Sequence, residues 1–228
     1  MKRLNNGVLA AIVIALVIIA DQALKIWVKT HFCYGEEWMI TDWFHLLFIE
    51  NNGMAFGMEL GSKTLLTWFR IIAVVAFCWY LWKIRNRTDL PKGFIVCVSL
   101  ITAGALGNVI DCICYGMIFD APPAPQVAQF LPPDGGYASL FHGRVVDMLY
   151  FPLCEWNWPQ WMPAVGGDHF VFFQPVFNVA DAALSVSVFV MIIFYTRYLS
   201  TPDENANDTE TDATEPAADT DSSNSTEE

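Results

Sequence analysis

Residues 8–28 read VLAAIVIALVIIADQALKIWV, and the fold turns on how this stretch is taken. Its apolar run is close to the ~20 residues an α-helix needs to cross a bilayer. Lys2 and Arg3 precede it, as in a secretory signal peptide. It is too long for one, however, and passes into Asp21, Gln22 and Lys25 with no small-residue cleavage site. It reads as a retained transmembrane helix. Three further segments share its character, 65–84, 94–113 and 176–199. The expected fold is therefore an all-α integral membrane bundle of four transmembrane helices with both termini on one side.

Composition agrees. Hydrophobic residues make up 54% of the 228 positions, and the mean hydropathy of +0.37 is high for a soluble chain of this size. The net charge of −12 is concentrated in residues 201–228, which contain no Lys or Arg. Lacking aromatic residues as well, that stretch cannot bury enough apolar surface to offset its ordering entropy, and it reads as a disordered acidic tail behind a single transmembrane domain, residues 1–200.

Basic residues set the expected topology. Lys2 and Arg3 flank the first span, and Lys83, Arg85, Arg87 and Lys92 crowd the connection between the second and third. Both stretches are expected to be cytoplasmic, with residues 29–64 and 114–175 outside. The outer stretch TDWFHLLFIE (41–50), followed by the turn signal Asn51-Asn52-Gly53, suggests a small extracytoplasmic β-cradle. The Pro-rich run Pro122 to Pro133 and the cluster Trp156, Trp158 and Trp161 suggest irregular outer loops at the interface. No internal repeat, phosphate-binding loop or nucleotide-binding glycine pattern occurs, and the few basic residues give nucleic acid no footprint.

The six cysteines are scattered, and Cys112-x-Cys114 has no second ligand pair, so neither a metal nor a cofactor is expected. His45, His142 and His169 stand alone in aromatic surroundings and read as interfacial side chains. No Ser or Cys nucleophile comes with a partnered His and acid. What stands out is polarity inside the spans, where each ionisable group costs about 2.5–3.5 kcal/mol at the bilayer centre. Asp21 and Lys25 lie late in the first span, Asn108 and Asp111 late in the third, Asn178 and Asp181 early in the fourth. In alternating helices these positions share one depth. Asn51, Arg144 and Asp147 lie in segments adjoining the same helix ends, which brings Asp111, Asp147 and Asp181 to one interfacial site. Asp21 and Lys25, four apart, can form an ordinary i,i+4 pair or brace that site. Arg70, in the second span, reads as a side chain that snorkels to the headgroups.

Taken in order, Asp21 with Lys25, Asn51-x-Gly53-x-Ala55-Phe56, Gly104-Ala105-Leu106-Gly107-Asn108-x-x-Asp111, Val145-Val146-Asp147 and Phe177-Asn178-x-Ala180-Asp181 resemble the lipoprotein signal peptidases. The resemblance spans nearly the whole chain from the first helix to the fourth. It implies a membrane aspartic endopeptidase of the bacterial inner membrane. Such an enzyme has four helices, a small extracytoplasmic sheet and an active site near the outer leaflet, and cleaves prolipoproteins just before the diacylglyceryl-modified cysteine. It implies Asp147 and Asp181 as the catalytic pair, with Asn51, Asn108, Asp111, Asn178 and Asp21 shaping or supporting the site beside Lys25. Partners are then the lipidated substrate and membrane lipids, and a monomer is expected. The sequence departs from the family pattern at Cys112, where the family usually has Arg, and mildly at Met54 and Met148; Gly116–His142 and Pro152–Pro175 are longer than a compact member requires.

Two carboxylates sharing a proton can hydrolyse a peptide with neither metal nor covalent nucleophile, one acting as base on water and the other as acid. A proton-coupled transporter also uses membrane carboxylates, but it places them at the midplane of paired repeats, which this chain lacks. A membrane adaptor with incidental acids would tolerate Asn at 147 and 181.

Overall fold

The computed structural model describes residues 5–51 and 63–199. The acidic tail and the Gly53 to Phe56 portion of the second motif, with Met54, lie outside the described residues.

Four helices, Asn6–His31, Leu65–Ile84, Lys92–Ile118 and Val179–Tyr198, are long and apolar enough to cross a membrane. The first, α1 (Asn6–His31), starts at Asn5, whose side chain caps Gly7 N at 2.7 Å. The second is α2 (Lys63–Ile84). The third, α3 (Lys92–Ile110), continues through a π-turn, Asp111–Tyr115, and a last turn, Gly116–Ile118. The fourth is α4 (Val179–Val190), prolonged by a π-turn and a 3-10 turn to Tyr198. The third span thus runs five residues past its expected end at 113. The fourth begins at 179 rather than 176, because Val176 and Phe177 form a strand and Asn178 caps the helix, accepting from Asp181 N at 2.9 Å.

Helix α3 is the centre of the bundle: 67% of its most apolar window is buried, against 11–17% for the other three. Small residues allow this. A Cβ on Gly104 would lie 2.4 Å from Ala180 O, and one on Gly107 would lie 2.8 Å from Asp21 Oδ2, so both glycines let α4 and α1 approach. Apolar side chains on the other helices, among them Leu16, Ile19, Leu65, Phe69, Ile72, Trp79, Phe189 and Ile193, face outward as a lipid-facing surface requires.

At one end of the bundle sits a sheet of β1 (Glu37–Thr41), β2 (Phe44–Asn51), β3 (Val145–Tyr150) and, after the separate hairpin of β4 (Cys154–Asn157) and β5 (His169–Phe172), β6 (Val176–Phe177). The order is β1-β2-β3-β6, all antiparallel. The expected cradle is present, but it is larger than residues 41–50. The outer segment 114–175 supplies β3 and the hairpin, in which Trp156 and Trp158 pack on Phe170, while β6 comes from residues expected to open the fourth span. Trp161 is the most exposed member of that cluster. His45 likewise lies on β2, paired with Glu37, rather than in a loop.

Strand alternation gives the sheet two chemically different faces. Phe48, Val146 and Met148 join Val28, Phe32, Tyr115 and Phe119 in a buried apolar cluster. Asp147, between Val146 and Met148, points to the other face, toward the start of α4. A second apolar cluster, built on Leu81, Phe94, Ile95 and Met191, closes the opposite end of the bundle.

Candidate active site

Asp147 is held in the middle of β3, 2% exposed. Asn178 Nδ2 donates to its Oδ1 at 2.7 Å, and the Asn51 side chain also bonds to it. Asp181 sits in the first turn of α4 and accepts from Asn108 Nδ2 at 2.7 Å. Asn178 links the two aspartates: its Nδ2 donates to the Asp147 carboxylate while its Oδ1 accepts from Asp181 N. Asn108-x-x-Asp111 of the third span and Asn178-x-x-Asp181 of the fourth meet through their amides, Asn178 Nδ2 lying 3.2 Å from Asn108 Oδ1. The orienting partners are crossed, however. Asn178 precedes the helix as its cap, so its amide aims at β3 rather than at Asp181.

Burial, and after it the nearby Asp181 charge, push the Asp147 carboxyl up to about 7 against the opposing pull of Asn178, Lys25 and Asn51. A carboxyl so placed holds its proton near neutrality beside a second carboxylate, which is the arrangement that acid–base hydrolysis requires.

Asp111, expected as a supporting residue near these two, accepts from Val146 N, the neighbour of Asp147, at 3.4 Å, and shares Lys25 with Asn108, the partner of Asp181. Lys25, wholly buried, bonds to Asp21 Oδ2 at 2.9 Å, Asp111 Oδ2 at 2.7 Å and Asn108 Oδ1 at 2.9 Å. Both readings of Asp21 and Lys25 therefore hold: they form the i,i+4 pair, and through Asn108 they brace Asp181. Asp21 Oδ1 also accepts from Ala180 N at 2.8 Å, which fixes α1 to the first turn of α4. Gln22, not among the expected site residues, bonds to Asp111 Oδ1 at 2.9 Å. Its position beside the Asp21 and Lys25 stripe was the available signal.

Arg144 does not join the site. It pairs with Glu50 at 2.9 Å, and Glu50 also takes Lys29, whose ammonium lies 5.2–5.7 Å from the ring centroids of Phe48, Phe119 and Tyr137. Arg70 of α2 reaches Cys112, with Nη1 3.5 Å from Cys112 Sγ. Arg70 therefore turns inward to α3.

The fold is that of a helical membrane protein with two carboxylates, Asp147 and Asp181, set where its helices meet a small sheet. Residues 13–197 match the family described as Signal peptidase (SPase) II. The chain is 47% identical over 201 residues to the lipoprotein signal peptidase of Porphyromonas gingivalis, covering 88% of each, and 36% identical over 184 residues to that of Amoebophilus asiaticus, covering 78% of this chain and 73% of the relative. A solved structure described as a bacterial membrane enzyme shares the fold, with a TM-score of 0.54 at 23% identity over 86% of this chain and 92% of that one. The chain belongs to the signal peptidase II family. Membership in a peptidase family sets aside the transporter and adaptor readings.

Proposed function

We propose that this protein removes the signal peptide from bacterial prolipoproteins by hydrolysing the bond before the diacylglyceryl-modified cysteine, with Asp147 and Asp181 as the catalytic pair. The observation that carries the assignment is Asn178, which bonds at once to the Asp147 carboxylate and to the backbone of Asp181. Asp147, the carboxyl raised to about 7, supplies the shared proton that polarises the scissile carbonyl. Asp181 takes a proton from water as the water oxygen attacks the carbonyl carbon. The tetrahedral species collapses as the C–N bond breaks, and the amine of the lipidated cysteine leaves with a proton from the pair. Asn51, Asn108 and Asn178 orient the carboxylates, while Asp21, Lys25 and Asp111 fix the helices that carry them.

The basic connection 83–92 and Lys2 and Arg3 support cytoplasmic termini. The site then faces the outer leaflet of the inner membrane, at the depth of a diacylated cysteine next to an apolar signal helix. Residues 1–200 act as one monomeric peptidase domain, and the acidic residues 201–228 are dispensable for cleavage. The test is a gel-shift assay with a diacylglyceryl-modified prolipoprotein. Wild type cleaves before the lipidated cysteine, and Asp147→Asn and Asp181→Asn, inserted and folded, do not. Cleavage by either variant at the wild-type rate refutes the pair.

A further inference from the structure

Between β3 and β6, which pair with each other, the chain makes an excursion that folds as the hairpin β4–β5. Among the described residues its two strands ladder with each other and with no strand of the main sheet. The register pairs Cys154 with Phe172, Glu155 with Val171, Trp156 with Phe170 and Asn157 with His169. Side chains alternate along a strand, and residues directly opposite share a face. Cys154, Trp156, Phe170 and Phe172 therefore make up one face, and Glu155, Asn157, His169 and Val171 the other. The first face is aromatic, with the Phe170 ring 4.4 Å from that of Trp156 and 5.9 Å from that of Trp158. The second is polar and bonded within itself: His169 Nδ1 lies 3.0 Å from Asn157 Oδ1, and His169 Nε2 lies 3.5 Å from Glu155 Oε2.

The aromatic face is uncovered. Trp156 is 37% and Phe172 53% exposed, with Cys154 exposed beside them. A lone two-stranded hairpin buries too little to be stable in water, so this face needs a cover. Its position says which. Four residues lead from Tyr150 of β3 to Cys154, and six from Phe172 to Asn178, the cap of α4. Fully extended, these reach at most about 14 Å and 22 Å. The hairpin is thereby held at the end of the bundle that carries Asp147 and Asp181, where the membrane-spanning α4 enters the bilayer. Residues 145–178 contain three Trp and neither Lys nor Arg, the composition of a segment drawn to the membrane interface by aromatic rings rather than by charge. A second copy of the chain is a poorer cover. Three rings at roughly 150–250 Å² each fall short of the ~800 Å² that each partner contributes to a stable interface.

We propose that the β4–β5 hairpin lies along the headgroup layer of the leaflet at the active-site end, with the face of Cys154, Trp156, Phe170 and Phe172 against the lipid and that of Glu155, Asn157 and His169 toward water. Its ligand is the bilayer surface, taken without regard to headgroup charge. Neither the placement nor its test depends on the catalytic reading.

Photocrosslinking tests it in the full-length protein reconstituted into phosphatidylcholine vesicles. The photoreactive residue p-benzoylphenylalanine replaces, one at a time, Phe172 or Trp156 on one face, Val171 or Asn157 on the other, and Trp79, an outward side chain of α2, as the lipid-facing reference. Mass spectrometry reads the adducts. The probes at 172 and 156 are expected to take up phosphatidylcholine as the one at 79 does, at about tenfold the yield of those at 171 and 157, the preference that burying one ring corresponds to. Mixing phosphatidylglycerol into the vesicles leaves that ratio unchanged. Equal lipid yields on the two faces, a lipid adduct at 79 with none at 172 and 156, or a ratio that climbs with phosphatidylglycerol would overturn the placement. So would crosslinks from 172 and 156 to a second copy of the chain in place of lipid, because the face would then be a protein interface.

Discussion

Asn178 and Asp147 are joined by a 2.7 Å hydrogen bond from the amide nitrogen to the carboxylate, although one residue caps a helix and the other lies in mid-strand. The same Asn178 caps α4, so its two duties can be separated by substitution. Asn178→Ser keeps a capping oxygen and Asn178→Ala removes it. Ala should cost about 1 kcal/mol more in unfolding free energy than Ser. Both should lower kcat by about 10²-fold or more, because neither holds Asp147. Retained kcat in the Ser variant would assign Asn178 to the helix alone.

The Asp147 carboxyl, raised to about 7 by burial and by Asp181, also fixes a stability slope. The ordinary Asp value is about 3.9, so the folded state binds the extra proton between about pH 4 and pH 7. Stability attached to this group is therefore complete below that window and lost as pH rises through it. Asp147→Asn should flatten this part of the curve, measured as the unfolding midpoint from pH 4 to pH 8 in both proteins.

Activity should follow the same proton. The alkaline limb of the kcat/KM profile is expected near pH 7, where the pair loses its shared proton. Asn51 stabilises the ionised form of Asp147, so Asn51→Ala raises the carboxyl further and moves that limb to higher pH. A limb that stays in place would detach it from Asp147.

Lys25 is wholly buried between Asp21 and Asp111. Lys25→Met strands two carboxylates in the bundle and should destabilise it by about 3–5 kcal/mol. Adding Asp111→Asn to Lys25→Met should recover part of that loss, read by unfolding in detergent at fixed pH.

Arg70 has one hydrogen-bond acceptor among the described residues, the Cys112 thiol, itself a weak one. Cys112 is four residues beyond Asn108, which places the guanidinium about one turn outward from the Asn108 to Asp181 bond. With donors to spare at the rim of the site, Arg70 should engage a carbonyl of the bound substrate. Arg70→Leu is expected to raise KM about tenfold with kcat little changed, and Arg70→Lys to recover part of it.

Much of this was legible in the sequence because a bilayer restricts the choices. Four apolar runs could only be helices, and acids and amides within them had to meet at one end for burial to be tolerable. Tertiary pairing was harder to see. Asp111 reads as a third acid near the site, but spacing along α3 does not reveal that Lys25 reaches it from α1. Val145–Tyr150 is a β-branched and apolar run that could have been taken as a strand, but its partners come from β2 and β6, far away in the chain. Arg70 was assigned to the headgroups by its place near a helix end, whereas its side chain lies against α3.

The Lys25 ammonium has a bearing on how the molecule is made. Helix α1 leaves the ribosome first, carrying Asp21, Gln22 and Lys25, while Asp111 and Asn108 are still unsynthesised. During that interval the lysine has a single carboxylate on its own helix, so α1 is a poorly tolerated lipid-facing segment until α3 arrives. Biogenesis is thereby ordered: the first helix must wait at the insertion machinery, and a chain truncated before residue 108 should be a ready target for quality-control proteolysis.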